Sequence, residues 1–89
     1  MRNALTLEAF AEFCESKPAD ETYRWLDNRN CAGAQYAKHI EAFATWRNRH
    51  NDTAAGDFFS DISGHAFEAE PSTFGALAAR LRAAIAEAR

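Results

Sequence analysis

An apolar stripe at the end of the chain is its strongest structural signal. Apolar side chains recur there at every third or fourth position, at Phe74, Leu77, Ala78, Leu81, Ala84, Ile85 and Ala88. This spacing places them on one face of an α-helix, and the stripe follows Pro71 and a capping residue, Ser72 or Thr73. Such a helix gains most of its stability by burying that face. We therefore expect a domain of packed helices.

A second stripe, near the start of the chain, predicts the first helix. Thr6 is suited to cap its N-terminus. The apolar positions, spaced by three and four, are Leu7, Phe10, Phe13 and Cys14. This helix must stop by Lys17, because Pro18 disfavours helical geometry in the residue before it.

The middle of the chain predicts a long second helix, from Cys31 to about Arg47, with Asn30 as its cap. Its apolar stripe consists of Gly33, Tyr36, Ala37, Ile40, Phe43 and Ala44. Gly33 costs about 1 kcal/mol relative to alanine inside a helix. We expect it to admit a large ring, from Trp25 or from an aromatic residue of the first helix.

A short third helix and a β-ribbon complete the predicted architecture. The helix is capped by Asp52 or Thr53, carries Phe58, Phe59 and Ile62, and ends at Ser63-Gly64. Alternating side chains favour two short strands, 22–26 and 66–69, which would pair.

A chain of 89 residues with 47% apolar side chains has room for one core. We predict a single domain, residues 1–89, mainly α-helical, with three to four helices and a short two-stranded β-ribbon. The predicted core consists of Phe10, Phe13, Trp25, Tyr36, Ile40, Phe43, Phe58, Phe67, Phe74, Leu77, Leu81 and Ile85.

The charge balance narrows the classes of function. Ten basic and 13 acidic side chains give a net charge of −3, which argues against a dedicated nucleic-acid binder of strongly basic composition. No apolar run approaches the roughly 18 residues of a membrane span. The chain has two cysteines, Cys14 and Cys31, which we interpret as free, buried thiols in a reducing compartment. We expect a cytoplasmic protein that does not enter a membrane.

The sequence offers few parts for catalysis. Cys31 lies at a predicted helix start, where the dipole favours a thiolate. His39 is eight residues further along the same predicted helix, about 12 Å away, so a base would have to be His50 or His65. The cysteines and histidines also lack the close spacing of metal ligands. We predict no enzymatic activity, no metal and no cofactor.

Arginines beside aromatic residues mark the candidate partner-binding surface. Trp46, Arg47 and Arg49 lie together, and Arg24 and Arg29 lie in a loop after Tyr23. Arginine and tryptophan are enriched at protein interfaces, and the same residues could bind phosphate and stack on a base. A solvated helix end, with cations near its negative pole, would also explain Arg47 and Arg49.

Four short motifs resemble those of small proteins encoded by bacteriophages and prophages. They are Leu7-Glu8-Ala9-Phe10, Pro18-Ala19-Asp20-Glu21-Thr22-Tyr23, Asn30-Cys31-Ala32-Gly33-Ala34-Gln35-Tyr36 and Phe74-Gly75-Ala76-Leu77-Ala78. Such proteins commonly bind host machinery stoichiometrically, for example as anti-CRISPR inhibitors. The resemblance implies no catalytic residues, and it implies a site of action in the bacterial cytoplasm.

From these observations we predict a non-enzymatic accessory protein of phage type that binds and inhibits or modulates a host protein complex. The alternative is a small nucleic-acid-binding module that uses the same arginines. The apolar stripe of the last helix would serve a homodimer as well as a monomer core.

Overall fold

Five helices make up the part of the chain that the structure describes. A computed structural model of the protein describes residues 4–23, 31–49, 53–67 and 71–88. The helices are α1 (Leu7–Glu15), α2 (Ala32–His39), α3 (Phe43–Arg47), α4 (Ala54–Phe67) and α5 (Phe74–Glu87). The predicted mainly α-helical fold is confirmed, although three to four helices were expected. The radius of gyration, 12.0 Å, is about that of a compact chain of this length.

Two groups of helices pack together. α1 lies along α5, whereas α2, α3 and α4 contact one another. The two groups meet where α4 contacts α5 and where rings of α1 contact Tyr36 of α2. The segment after α1 also pairs with the start of α5. The backbone N–H of Tyr23 donates to Ser72 O (3.0 Å), and that of Phe74 donates to Glu21 O (2.9 Å). These bonds fix where α5 begins relative to α1.

Threonine side chains cap three of the described helices: Thr6 was predicted, and Thr53 and Thr73 were each one of two predicted alternatives. Thr6 Oγ1 accepts from the N–H of Ala9 at 3.2 Å, and Thr53 Oγ1 accepts from the N–H of Gly56 at 3.0 Å. Thr73 caps α5 in the same way. Each hydroxyl satisfies one backbone donor that has no partner within its helix.

The predicted helix from Cys31 to Arg47 is wrong, because it is divided into α2 and α3. Glu41, between them, has φ of 58°, in the left-handed region. The N–H of Ala42 donates to Ala37 O (2.7 Å) and the N–H of Glu41 donates to Lys38 O (3.1 Å). This pair of bonds is a Schellman motif, which ends a helix and satisfies its last carbonyls. Glycine is the usual residue at the position that Glu41 occupies.

The predicted end of the third helix and the β-ribbon are also wrong. α4 continues through Ser63 and Gly64 to Phe67, so positions 66 and 67 are helical rather than extended. Thr22 instead forms an isolated antiparallel bridge with Thr73. Positions 24–26 and 68–69 of the predicted ribbon lie outside the described residues.

Aromatic rings form the centre of the core. The predicted core residues that are buried are Phe10, Phe13, Tyr36, Phe74, Leu77, Leu81 and Ile85. Ile40, Phe43 and Phe58 are partly buried against this core. Phe67 is 40% exposed, contrary to prediction, and Trp25 lies outside the described residues. Among the large side chains of the described core, the prediction omitted Tyr23, Trp46, Phe59 and Ile62.

Gly33 admits a large ring, as its position in a helix predicted. A Cβ atom at residue 33 would lie 2.7 Å from Cζ3 of Trp46 and 3.2 Å from Oγ of Ser63. The described ring that meets Gly33 is thus that of Trp46, whereas Trp25, a candidate named from the sequence, lies outside the described residues. The tight approach explains why glycine is kept inside α2 in spite of its low helix propensity.

Among the described residues, none of the helices combines the length and the apolar character needed to cross a bilayer.

Two glycines provide a matched test of this packing. Gly33→Ala should lower the free energy of unfolding by about 1–3 kcal/mol, because the methyl group collides with the buried indole of Trp46. Gly64 lies exposed inside α4, and a Cβ there meets no atom within 4 Å. Gly64→Ala should therefore stabilise the protein by about 0.5–1 kcal/mol. Chemical denaturation measures both changes, and equal effects of the two substitutions would contradict the assigned packing.

A second pair of substitutions tests the Schellman motif. Glu41→Gly should raise the free energy of unfolding by about 0.5–1 kcal/mol, since relief of the left-handed backbone exceeds the entropy cost of glycine. The control is Ala44→Gly at an exposed position of α3, which should destabilise by about 1 kcal/mol. A loss of stability in Glu41→Gly would show that this backbone conformation is not adopted.

Candidate partner-binding surface

The C-terminal end of α3 carries the part of the predicted surface that the structure describes. Trp46 is 1% exposed, so its indole belongs to the core. The sequence had suggested that this ring contacts a partner or stacks on a base, and its burial prevents both. Its ring meets Phe59 edge-on, with centroids 6.0 Å apart. Burial here follows from the close approach to Gly33 of α2. Trp46 is thus a support for the surface rather than a member of it.

Arg49 is held in place by this buried tryptophan. The carbon of its guanidinium lies 4.0 Å from the centroid of the Trp46 ring, a distance typical of a cation–π contact. Its Nη1 donates to the backbone oxygen of Trp46 at 3.0 Å. The side chain is partly exposed, so a planar cation stands at the surface in a defined orientation.

Arg47 and Asn48 complete this end of α3. Arg47 is exposed in the last turn, and Asn48 Nδ2 donates to Ala44 O at 2.9 Å. Beside them is a depression of about 250 Å³, lined by Ala44, Thr45, Asn48 and Thr53. The structure therefore places an exposed and a stacked arginine at one helix end, next to a concave surface.

The second predicted cluster is described only in part. Arg24 and Arg29 lie outside the described residues. Tyr23, which was expected beside them at the surface, is buried instead. Its hydroxyl donates to Ala66 O at 2.6 Å and accepts from Nη2 of Arg80 at 3.0 Å. Tyr23 therefore ties the segment after α1 to the end of α4.

Both cysteines are buried. Cys31 is the N-cap of α2, and its sulfur accepts from the N–H of Ala34 at 3.4 Å. Asn30, the expected cap, lies outside the described residues. Burial, and to a smaller degree the charge of Glu15, raises the pKa of Cys14 to about 12. At neutral pH its thiol is therefore protonated and a poor nucleophile.

The described histidines, cysteines and carboxylates form no metal site at this surface. Within the described ranges, no group of three or more His, Cys, Asp and Glu side chains is arranged to hold a metal ion. His50, one of the two bases considered for Cys31, lies outside them. His65 is the other base, and its Nε2 lies 3.9 Å from Oδ2 of Asp61, one turn earlier on α4.

Sequence reasoning missed two further surface features. One is a groove between α1 and α2, and the other is a pocket of about 310 Å³ between α1 and α5, lined in part by Cys14, Gly75 and Arg82. Both depend on how helices distant in sequence are placed. In the folded chain a Cβ at residue 75 would lie 2.8 Å from Ala19 O, so glycine allows this close approach.

Comparison with protein-family models, with curated proteins and with solved structures finds no match for this chain.

The state of Cys14 can be tested by alkylation. Since its pKa is raised and the residue is buried, iodoacetamide at pH 8 should modify Cys14 at least about a hundredfold more slowly in the folded protein than in denaturant. Peptide mass spectrometry after timed quenching measures the two rates. Rapid modification of the native protein would contradict the buried, protonated thiol.

Proposed function

We propose that the protein is a binding protein without chemistry of its own, and that the C-terminal end of α3 contacts its partner. The observation that carries this proposal is the position of Arg49, stacked on the buried Trp46 and partly exposed. A side chain already held in one orientation loses little conformational freedom when it binds. Arg47, exposed and two residues before Arg49, adds a second guanidinium.

The chemistry of this surface suits a partner that presents carboxylates. Guanidinium groups bind carboxylates in a planar, two-point geometry, and arginine is enriched among residues that dominate binding energy. The net charge of −3 opposes the long-range attraction to nucleic acid that a basic protein would have. A protein partner is therefore our first proposal, and nucleic acid is the alternative.

The biological setting of the proposal rests on the resemblance to small phage proteins. It suggests a host protein complex as the partner, inhibition or modulation as the effect, an anti-CRISPR inhibitor as one example, and the bacterial cytoplasm as the location. Arg24 and Arg29 remain proposed members of the surface.

Capture of the tagged protein from a bacterial lysate, with and without nuclease, tests this function. We expect a stoichiometric protein partner that survives nuclease treatment. Replacement of both Arg47 and Arg49 by glutamate should weaken its binding by about thirtyfold or more, the loss expected for a residue pair that dominates an interface. Lys38→Glu, a single charge reversal at an exposed position of α2, is the control and should retain the partner.

Two outcomes would contradict the proposal. Undiminished binding by the double variant would show that α3 does not contact the partner. Recovery only through nucleic acid, with affinity for single-stranded or duplex probes that falls steeply as salt rises, would favour the alternative. Thermal unfolding of each variant confirms that it is folded before binding is compared.

A further inference from the structure

A short segment after α1 lies across the start of α5 and contributes little to the core. We call residues 17–23 the strap. Of these residues, all of which the structure describes, Tyr23 alone is buried, Lys17 and Glu21 are half-buried, and the others are exposed. Segments that bury little apolar surface open at a lower free energy than the whole domain unfolds. The strap is therefore held by a few hydrogen bonds and by one buried side chain.

Backbone hydrogen bonds join the strap to the first turn of α5. The N–H of Phe74 donates to Glu21 O at 2.9 Å, and the N–H of Gly75 donates to Ala19 O at 3.0 Å. The first N–H groups of a helix have no acceptor within that helix. These two donors are therefore satisfied by the strap, and glycine at residue 75 allows its backbone to come this close.

The side chain of Tyr23 fastens the C-terminal end of the strap. Its hydroxyl donates to Ala66 O at 2.6 Å and accepts from Nη2 of Arg80 at 3.0 Å. Ala66 lies in the last turn of α4, where carbonyl groups lack a donor within the helix. The Tyr23 ring meets that of Phe74 edge-on, with centroids 5.4 Å apart. Removal of the hydroxyl alone would thus keep the ring packed and break the bonds that tie the strap to α4 and α5.

Cys14 lies beneath the strap, in the pocket between α1 and α5. It is 1% exposed, and the pocket is lined on one side by Lys17 and Ala19 of the strap and on the other by Gly75 of α5. Burial raises the pKa of the Tyr23 hydroxyl, and Cys14 is near enough to add to this rise. Opening of the strap would therefore remove three neighbours of the Cys14 thiol.

We infer that the strap opens while the helices remain folded, and that the Tyr23 hydroxyl is the latch that limits this opening. The open form uncovers the thiol of Cys14 and releases the N–H groups of Phe74 and Gly75. α1 and α5 stay together in it, because the two helices contact each other directly. Access to Cys14 is thereby controlled by a local latch rather than by unfolding of the domain. The inference does not depend on the contact proposed for α3.

Alkylation of the folded protein at its two cysteines tests this inference. Tyr23→Phe keeps the ring and removes the latch. Iodoacetamide at pH 8 should then modify Cys14 about tenfold faster than in the unsubstituted protein, the factor expected for loss of one buried hydrogen bond. Cys31, buried at the start of α2, reports opening elsewhere, and its rate should stay nearly unchanged. Peptide mass spectrometry after timed quenching measures both rates.

Tyr36→Phe is the matched control. The hydroxyl of Tyr36 donates to Ala4 O at 2.5 Å, so this substitution also removes one hydrogen bond, but outside the strap. The rate at Cys14 should stay nearly unchanged in this variant. If Cys14 reacted only through unfolding of the whole domain, both substitutions would accelerate both cysteines.

Hydrogen exchange of the unsubstituted protein gives a second measurement, which requires no variant to fold. After correction for intrinsic rates, the amides of Phe74 and Gly75 should share one protection factor. It should be lower than that of Leu77, whose N–H donates to Thr73 O of its own helix start. Tyr23→Phe should lower the protection of Phe74 and Gly75 by the same factor that it raises the alkylation rate of Cys14.

Three results would overturn the inference. They are an unchanged alkylation rate at Cys14 in Tyr23→Phe, equal acceleration of both cysteines by that substitution, and protection of Phe74 and Gly75 equal to that of Leu77. The second result would show that Cys14 becomes accessible only when the whole domain unfolds. The third would show that the strap does not open separately from α5.

Discussion

The rings on either side of Phe13 join parts of the chain that are far apart in sequence. The ring centroid of Phe13 in α1 lies 5.2 Å from that of Tyr36 in α2 and 6.2 Å from that of Phe74 in α5. The ring centroid of Phe10 lies 5.1 Å from that of Tyr36. Loss of a buried phenylalanine typically costs about 3–5 kcal/mol. A domain of this size has only about 5–13 kcal/mol of net stability. The arrangement of α1, α2 and α5 therefore depends on this cluster, and so does the floor of the α1–α2 groove.

Trp46 anchors α3 to the core, as Phe13 anchors α1. Because α3 is a short helix, its own hydrogen bonds cannot stabilise it, and burial of the indole against Gly33 and Phe59 holds it in place. The same ring then orients Arg49 at the surface. One side chain thus connects the packing of the core to the proposed binding surface. A substitution at Gly33 that displaces the Trp46 ring would therefore also displace Arg49, although Gly33 and Arg49 do not lie on the same helix.

Periodicity and capping chemistry predicted α1 and α5 well, because both signals are local and agree with each other at Thr6 and Thr73. The sequence did not reveal the division between α2 and α3, because Glu41 takes a left-handed backbone conformation that is usually adopted by glycine. At Gly64 the opposite occurred. That glycine suggested a helix end, but tertiary packing of Phe59, Ile62 and Ala66 carries α4 through it.

The candidate surface was predictable in composition but not in arrangement. Trp46 stands beside arginines in the sequence, which suggested an exposed ring, and its burial depends on a glycine in another helix. The α1–α2 groove had no local signal, because Glu12 looks like one of several solvated carboxylates until Ile40 and His39 are placed opposite it.

Local charge matters more for this protein than its total. A net charge of −3 with basic and acidic residues spread along the chain suggests a nearly neutral surface. The fold instead gathers Glu8, Glu12 and Glu15 on α1, while Arg47 and Arg49 lie at the end of α3. Arg49 also stands over a buried ring, that of Trp46, which orients it. Attraction from such patches acts at short range, because salt screens exposed charges beyond about 8–10 Å. The contact proposed for α3 therefore requires a close fit to its partner, and the buried Trp46 ring orients Arg49 for it.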